Sequence, residues 1–140
     1  MNIKALIEQK RRDGGFTGQD VYLILTAIKE TAENNSEVQE LIADIEEEGL
    51  NIRINISLPD TDRHAGIWIE NGKIQWQKGL IANPTLSVSF SEQIARDALM
   101  GKSSFQRAYR EGQIQITGSL SRGAALVMIL NICADDYNVL

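Results

Sequence analysis

Few residues of this chain have the means to do chemistry. His64 is the only histidine and Cys133 the only cysteine. Nucleophilic catalysis needs an oriented base beside its nucleophile, and neither residue sits in a motif that supplies one. His64 adjoins the turn Pro59-Asp60-Thr61-Asp62 and reads as a surface histidine. Cys133 lies in the most apolar stretch of the chain, where a buried thiol is inert. Asp60 and Asp62 flank the turn as a weak calcium pair would, but the glycine and closing glutamate of a calcium loop are absent. Asp135-Asp136 reads as a solvated helix end. Neither a Walker loop nor a GxGxxG is present. This inventory predicts no enzyme, no cofactor and no bound metal.

The charge balance narrows the partners. With 14 basic and 19 acidic residues the net charge is -5, so the positive stripe that displaces counterions from nucleic acid is not expected. Lys10-Arg11-Arg12 is the main basic cluster. It reads as the solvated end of an N-terminal helix, with steering towards an anionic surface as the alternative. Glu46-Glu47-Glu48 also reads as a solvated helix end, though it opposes the helix dipole. A 43% hydrophobic and 24% charged composition over 140 residues fits one globular domain, with room for one core and one ligand cavity. A lone cysteine excludes an intramolecular disulfide. The start, MNIKALIEQKRRDGG, has no signal-peptide pattern, and the end, YNVL, is not a peroxisomal signal. The expected location is cytoplasmic.

The elements that would position these residues follow from periodicity. Residues 2–12 predict a short amphipathic helix through Ile3, Leu6 and Ile7, ended by Gly14-Gly15. Thr17 with Asp20 forms a variant capping box before Val21, Ile24, Leu25 and Ile28. Asn34-Asn35 breaks that helix. Ser36 with Gln39 opens another, carrying Val38, Leu41, Ile42 and Ile45, and Gly49 closes it. The period then becomes two. Ile52, Ile54, Ile56 and Leu58 alternate with polar residues in a half-buried strand. GIWIENGKIQW predicts a hairpin on a type I′ turn at Asn71-Gly72. That turn sets Glu70 against Lys73, Ile69 against Ile74 and Ile67 against Trp76, leaving Trp68 and Gln75 on the other face. PTLSVSF is a further strand with Leu86, Val88 and Phe90 inward. Ser91 caps a helix through Ile94, Ala95, Ala98, Leu99 and Met100. Ser103 and Gln106 box a shorter one, and QIQIT is the last strand. Five strands with one apolar face each predict an α+β sandwich: a mostly antiparallel sheet covered by helices on one side.

The stretch GAALVMILNICA, Gly123 to Ala134, predicts the final helix. It is too short for a bilayer, which takes roughly 20 apolar residues. The order NPTLSVSFSEQIARDALMGKSSFQRAYREGQIQITGSLSRGAALVMIL resembles the sterol carrier protein type 2 domain. The strand of alternating Ser/Thr and apolar residues leads to a helix ending in Gly101-Lys102. The short helix Gln106-Arg107-Ala108-Tyr109, then Gly112, the strand Ile114 to Gly118 and a terminal helix follow in the family's order. The resemblance covers about residues 50–130. Arg107 and Tyr109 stand where the family usually has Lys and Phe. SLSRG replaces its usual turn. Residues 1–35 read as a helical extension poorly matched to the family, and 36–140 as the core.

The resemblance implies a five-stranded sheet with an apolar tunnel beneath its helices, and non-catalytic binding or transfer of a sterol, fatty acid, acyl-CoA or phospholipid. By that analogy Ile94, Met100, Phe105, Leu126, Met128, Ile129 and Ile132 wall the site. Gln106 and Tyr109 offer hydrogen bonds to a headgroup, and Lys102 and Arg107 stand at the mouth. Each has a plainer role open to it: core filling for the methionines, capping or surface for the polar residues. A rigid empty cavity of ~300 Å³ would cost about 7 kcal/mol at ~24 cal/mol per Å³. Set against a domain stability of about 5–15 kcal/mol, the tunnel should be filled, partly collapsed or closed by the last helix. The competing reading is an interaction protein, or a non-catalytic enzyme subunit, whose last helix packs in a homodimer or on its partner. Transient membrane contact is compatible with the lipid reading.

Overall fold

The period-two segments become strands and the 3.6-period segments become helices. The computed structural model describes residues 3–100, 102, 103, 105–119 and 129. Helices α1 (Ile3–Asp13), α2 (Asp20–Asn34) and α3 (Ser36–Glu47) precede the sheet. Strand β1 (Arg53–Leu58) is followed by a 3-10 turn (Pro59–Thr61), then β2 (Arg63–Glu70), β3 (Lys73–Lys78) and β4 (Leu86–Ser89). Helices α4 (Glu92–Leu99) and α5 (Phe105–Arg110) lead to β5 (Gln115–Gly118). The strand order is β3-β2-β1-β4-β5. Only β1 and β4 run parallel; the other pairs are antiparallel.

Local chemistry sets the boundaries. At the hairpin, Asn71 and Gly72 have φ of 51° and 77°, the two left-handed positions of a type I′ turn. The resulting register pairs Glu70 with Lys73, Ile69 with Ile74 and Ile67 with Trp76, as the sequence predicts. Glu46 of the triple glutamate accepts the Gly72 N–H, so that carboxylate holds α3 to the hairpin turn. The cap of α3 falls one residue before the predicted box: Asn35 Oδ1 accepts the Val38 N–H at 3.1 Å, and Ser36 is already helical. Asparagine caps as well as serine does, so two adjacent candidates compete. The predicted Thr17 cap is displaced: α2 begins at Asp20 with Gln19 as its uncapped N-cap, and Asp20 instead accepts the Thr17 N–H at 2.8 Å in the turn before the helix. Ser91 Oγ accepts the Ile94 N–H at 3.2 Å and starts α4 as predicted.

The helices cover one face of the sheet. Leu25 and Ala32 of α2, with Val38, Ile42 and Ile45 of α3, bury Ile52, Ile54, Ala65, Ile67, Ile74 and Leu86. Ile129 joins this cluster and is fully buried. Tyr22 of α2 stacks on Trp76 with ring centroids 6.0 Å apart. Lys29 donates to the Ile74 carbonyl at 3.0 Å, which shields the open edge of β3. A second cluster, Leu58, Phe90, Ala95, Ala108 and Ile114, closes the same face beneath α4 and α5. A third, smaller one joins Ile7, Phe16 and Ala27 beside α1.

The reverse face carries a strap that the periodicity does not reveal. Residues 79–85 must pass from edge strand β3 across β2 and β1 to reach β4. Asn55, buried on this face, accepts the Ile81 N–H at 2.8 Å and donates to the Ile81 carbonyl at 3.1 Å. The Ile81 side chain lies over Gly66, where an added Cβ would meet its Cγ2 at 2.4 Å. Arg53 grips the Ala82 carbonyl through two guanidinium nitrogens, at 3.1 and 3.0 Å. The sheet is therefore helix-covered on one side and strapped on the other. No described helix is long and apolar enough to cross a membrane.

Candidate functional site

The chemistry-bearing residues come first. Ser57 pairs with His64 across β1 and β2. His64 Nδ1 lies 3.0 Å from Ser57 Oγ, and Nε2 lies 3.1 Å from Asp62 Oδ1. Sequence reading missed this serine–histidine–aspartate chain. Its signal was present: a four-residue connection at 59–62 sets Leu58 opposite Arg63, and hence Ser57 opposite His64. The arrangement does not suit acyl transfer. The Asp62 side chain is 97% exposed, so water screens the carboxylate that ought to orient the imidazole. Strand β1 is paired on both sides, and its N–H groups beside Ser57 are spent in the ladders rather than offered to an oxyanion. The three side chains link two strands and a turn. Among the described residues, no group of three His, Cys, Asp or Glu could hold a metal ion.

The apolar face offers more. Between its two sealed clusters lies a strip of three residues, Ile56 on β1, Val88 on β4 and Ile116 on β5. They are cross-strand neighbours: Ile56 pairs with Val88, and Val88 with Ile116. All three touch both clusters, yet all three are only half buried. Ile56 and Val88 lie on strands paired on both sides, where such residues are normally buried completely, since each incompletely buried apolar side chain forgoes part of ~25 cal/mol per Å²; Ile116 lies on the edge strand β5. Alternation along each strand dictates the inward direction.

Of the predicted wall residues, Ile94 and Ile129 pack in the clusters that border this strip and Met100 packs elsewhere. Ile94 of α4 packs against the cluster that borders it. Ile129 lies in the larger cluster on its other side. Met100 packs against the small cluster of Ile7, Phe16 and Ala27 beside α1. Phe105 and Gln106 open α5, and their side chains lie outside the described residues. So do Leu126, Met128, Ile132 and Cys133, and with them most of the predicted final helix. Tyr109 is 47% exposed on α5. Lys102 is exposed, and Arg107 is engaged by Glu111 one turn on, at 3.0 Å.

Fold and register can now be set against known proteins. The family model described as alkyl sulfatase C-terminal matches residues 43–140. The chain belongs to the alkyl sulfatase C-terminal family. The chain spans only 12% of the sec-alkylsulfatase Pisa1 from Pseudomonas sp., with which it aligns over 58% of its own length, at 15% identity and a TM-score of 0.46. Self-contained domains align more fully. The sterol carrier protein domain 2 of Helicoverpa armigera is 20% identical, with a TM-score of 0.62, over 83% of this chain and 89% of that one. Sterol carrier protein 2 from Yarrowia lipolytica, in its apo form, is 18% identical, with a TM-score of 0.54, over 77% and 87%. This alkyl sulfatase C-terminal chain thus has the sterol carrier protein type 2 fold, as the motif order implied. No curated protein matches it.

Proposed function

We propose that this chain is a non-catalytic module that holds the apolar chain of a lipid or alkyl ligand against the sheet. The observation that carries the reading is the strip Ile56–Val88–Ile116, half buried on the helix-covered face from the middle strand β1 to the edge strand β5. An apolar chain laid on it would finish the burial that the described side chains leave incomplete. The sterol carrier protein type 2 fold supports the same reading, since its solved relatives carry the name of lipid carriers. Ile94 and Ile129 would border the chain, and Lys102 stands in solvent where an anionic head could be met.

A second reading keeps this site and adds a context. The family is named for the C-terminal part of alkyl sulfatases, and this chain matches only 12% of one. The module would then hold the alkyl end of a substrate while another chain or domain does the chemistry. Both readings share one test. Native mass spectrometry of gently purified protein should show an adduct that denaturation releases and organic solvent extracts. Protein that is always empty and takes up no fluorescent fatty acid at micromolar concentration would overturn both.

A further inference from the structure

A depression open to solvent lies where α1, α2 and the end of β3 meet, away from the strip. It has a volume of about 390 Å³, and Leu6, Lys10, Thr17, Tyr22, Leu23 and Lys78 are among the residues that line it. That volume is within the range of small-molecule sites, roughly 300–1,000 Å³. We propose that it takes a small amphipathic monoanion, a carboxylate or sulfate head on a short apolar body.

Charge accounts for the head. Asp20 is buried and its carboxylate is fully engaged: Oδ1 pairs with Lys10 at 3.2 Å, and Oδ2 accepts the Thr17 N–H at 2.8 Å. Lys10 therefore neutralises Asp20. The second cation, Lys78, has no carboxylate within ion-pair distance among the described residues. Its Nζ instead sits 4.9 Å from the centre of the Tyr22 ring. A cation–π contact holds an ammonium in place and leaves its N–H donors for another acceptor. The pocket thus has one positive charge in surplus.

Apolar side chains account for the body. On α1, Ile3 and Ile7 pack into the small cluster, whereas Leu6 faces the pocket. Leu23 and the Tyr22 ring complete the apolar wall. These walls are held from behind. The Tyr22 hydroxyl and the Gly79 N–H both donate to the His64 carbonyl, at 3.2 and 2.9 Å, and Tyr22 stacks on Trp76. One carbonyl fixes both the helix side and the strand side of the site.

Titration with hexanoate and with hexan-1-ol, followed by amide NMR, tests the proposal. Hexanoate should shift the amides of Leu6, Thr17, Tyr22, Leu23 and Lys78, and the alcohol should leave them in place. Lys78→Met should weaken hexanoate by about tenfold, as expected when a charge-assisted contact is lost. Lys78→Arg should restore most of it. Lys10→Met should weaken it further, because the Asp20 carboxylate would then repel the head. The same spectra report whether each variant is folded. Equal shifts with the alcohol, or unchanged hexanoate binding in Lys78→Met, would overturn the site. Shifts confined to Ile56, Val88 and Ile116 would also overturn it while supporting the strip, so the two sites fail separately.

Discussion

One face of one sheet is built in two ways. Near the hairpin, Ile54, Ile67 and Ile74 lie beneath α2 and α3 and are sealed from water. One residue pair further along β1, at Ile56, and across β4 and β5, at Val88 and Ile116, the same inward alternation yields half-buried side chains. The residue types do not change between these places, but their cover does, and Ile116 lies on the edge strand β5. Burial is therefore decided by what covers a residue and by its strand's place in the sheet rather than by alternation alone.

The largest expected effect comes from breaking that contrast directly. Ile67→Ala removes methyl groups from a site 1% exposed, where large-to-small changes cost about 2–5 kcal/mol. Ile56→Ala makes the same chemical change in the strip and should cost about half as much, because fewer contacts are lost. Urea unfolding of both variants measures the difference. Equal losses would show that the strip is packed like the rest of the core.

The strap on the reverse face gives the next effect. Asn55→Leu keeps the branched outline of the side chain but orphans the N–H and carbonyl of Ile81, each buried group costing about 1–3 kcal/mol. Amide exchange in β1 and β2 should speed, since the strap backs both strands. The sealed stretch and the strip should both feel this, because Asn55 lies between Ile54 of the one and Ile56 of the other. Unchanged exchange would make the strap a passive connection.

Much of this was legible in the residues. The Asn71-Gly72 turn fixed the hairpin register because only one turn type suits two left-handed positions. Alternation in β1 and β4 gave the apolar face, and motif order gave the family fold. Other features were not legible, for physical reasons. Asn55 and Ile81 meet only because the chain must cross from β3 to β4, a consequence of strand order that no local pattern encodes. The Ser57–His64–Asp62 chain is legible only once the four-residue connection at 59–62 is read as a register rather than as a turn. The strip depends on how far the cover of the sheet extends, and amphipathic periodicity says which side of a helix is buried but not how far along a sheet it reaches. The pocket at Lys78 joins three elements distant in sequence.

The smallest expected change in stability is also the most discriminating. Adding atoms to a packed core strains it by about 1–3 kcal/mol, so Ile67→Phe should destabilise within that range. Val88→Phe adds bulk to the half-buried strip. There the ring can enter space that is already open, and the apolar area it buries offsets its ordering cost, so unfolding free energy should move by less than about 1 kcal/mol. Uptake of a fluorescent fatty acid should nevertheless fall, because the ring would occupy the place proposed for the ligand chain. A strained Val88→Phe with unchanged uptake would mean that the space between the two helical layers is closed and the ligand, if bound, lies elsewhere. A stable variant with lost uptake would tie the half-burial of three aligned residues to binding, with Ile67→Phe as the control that separates a filled site from a disturbed core.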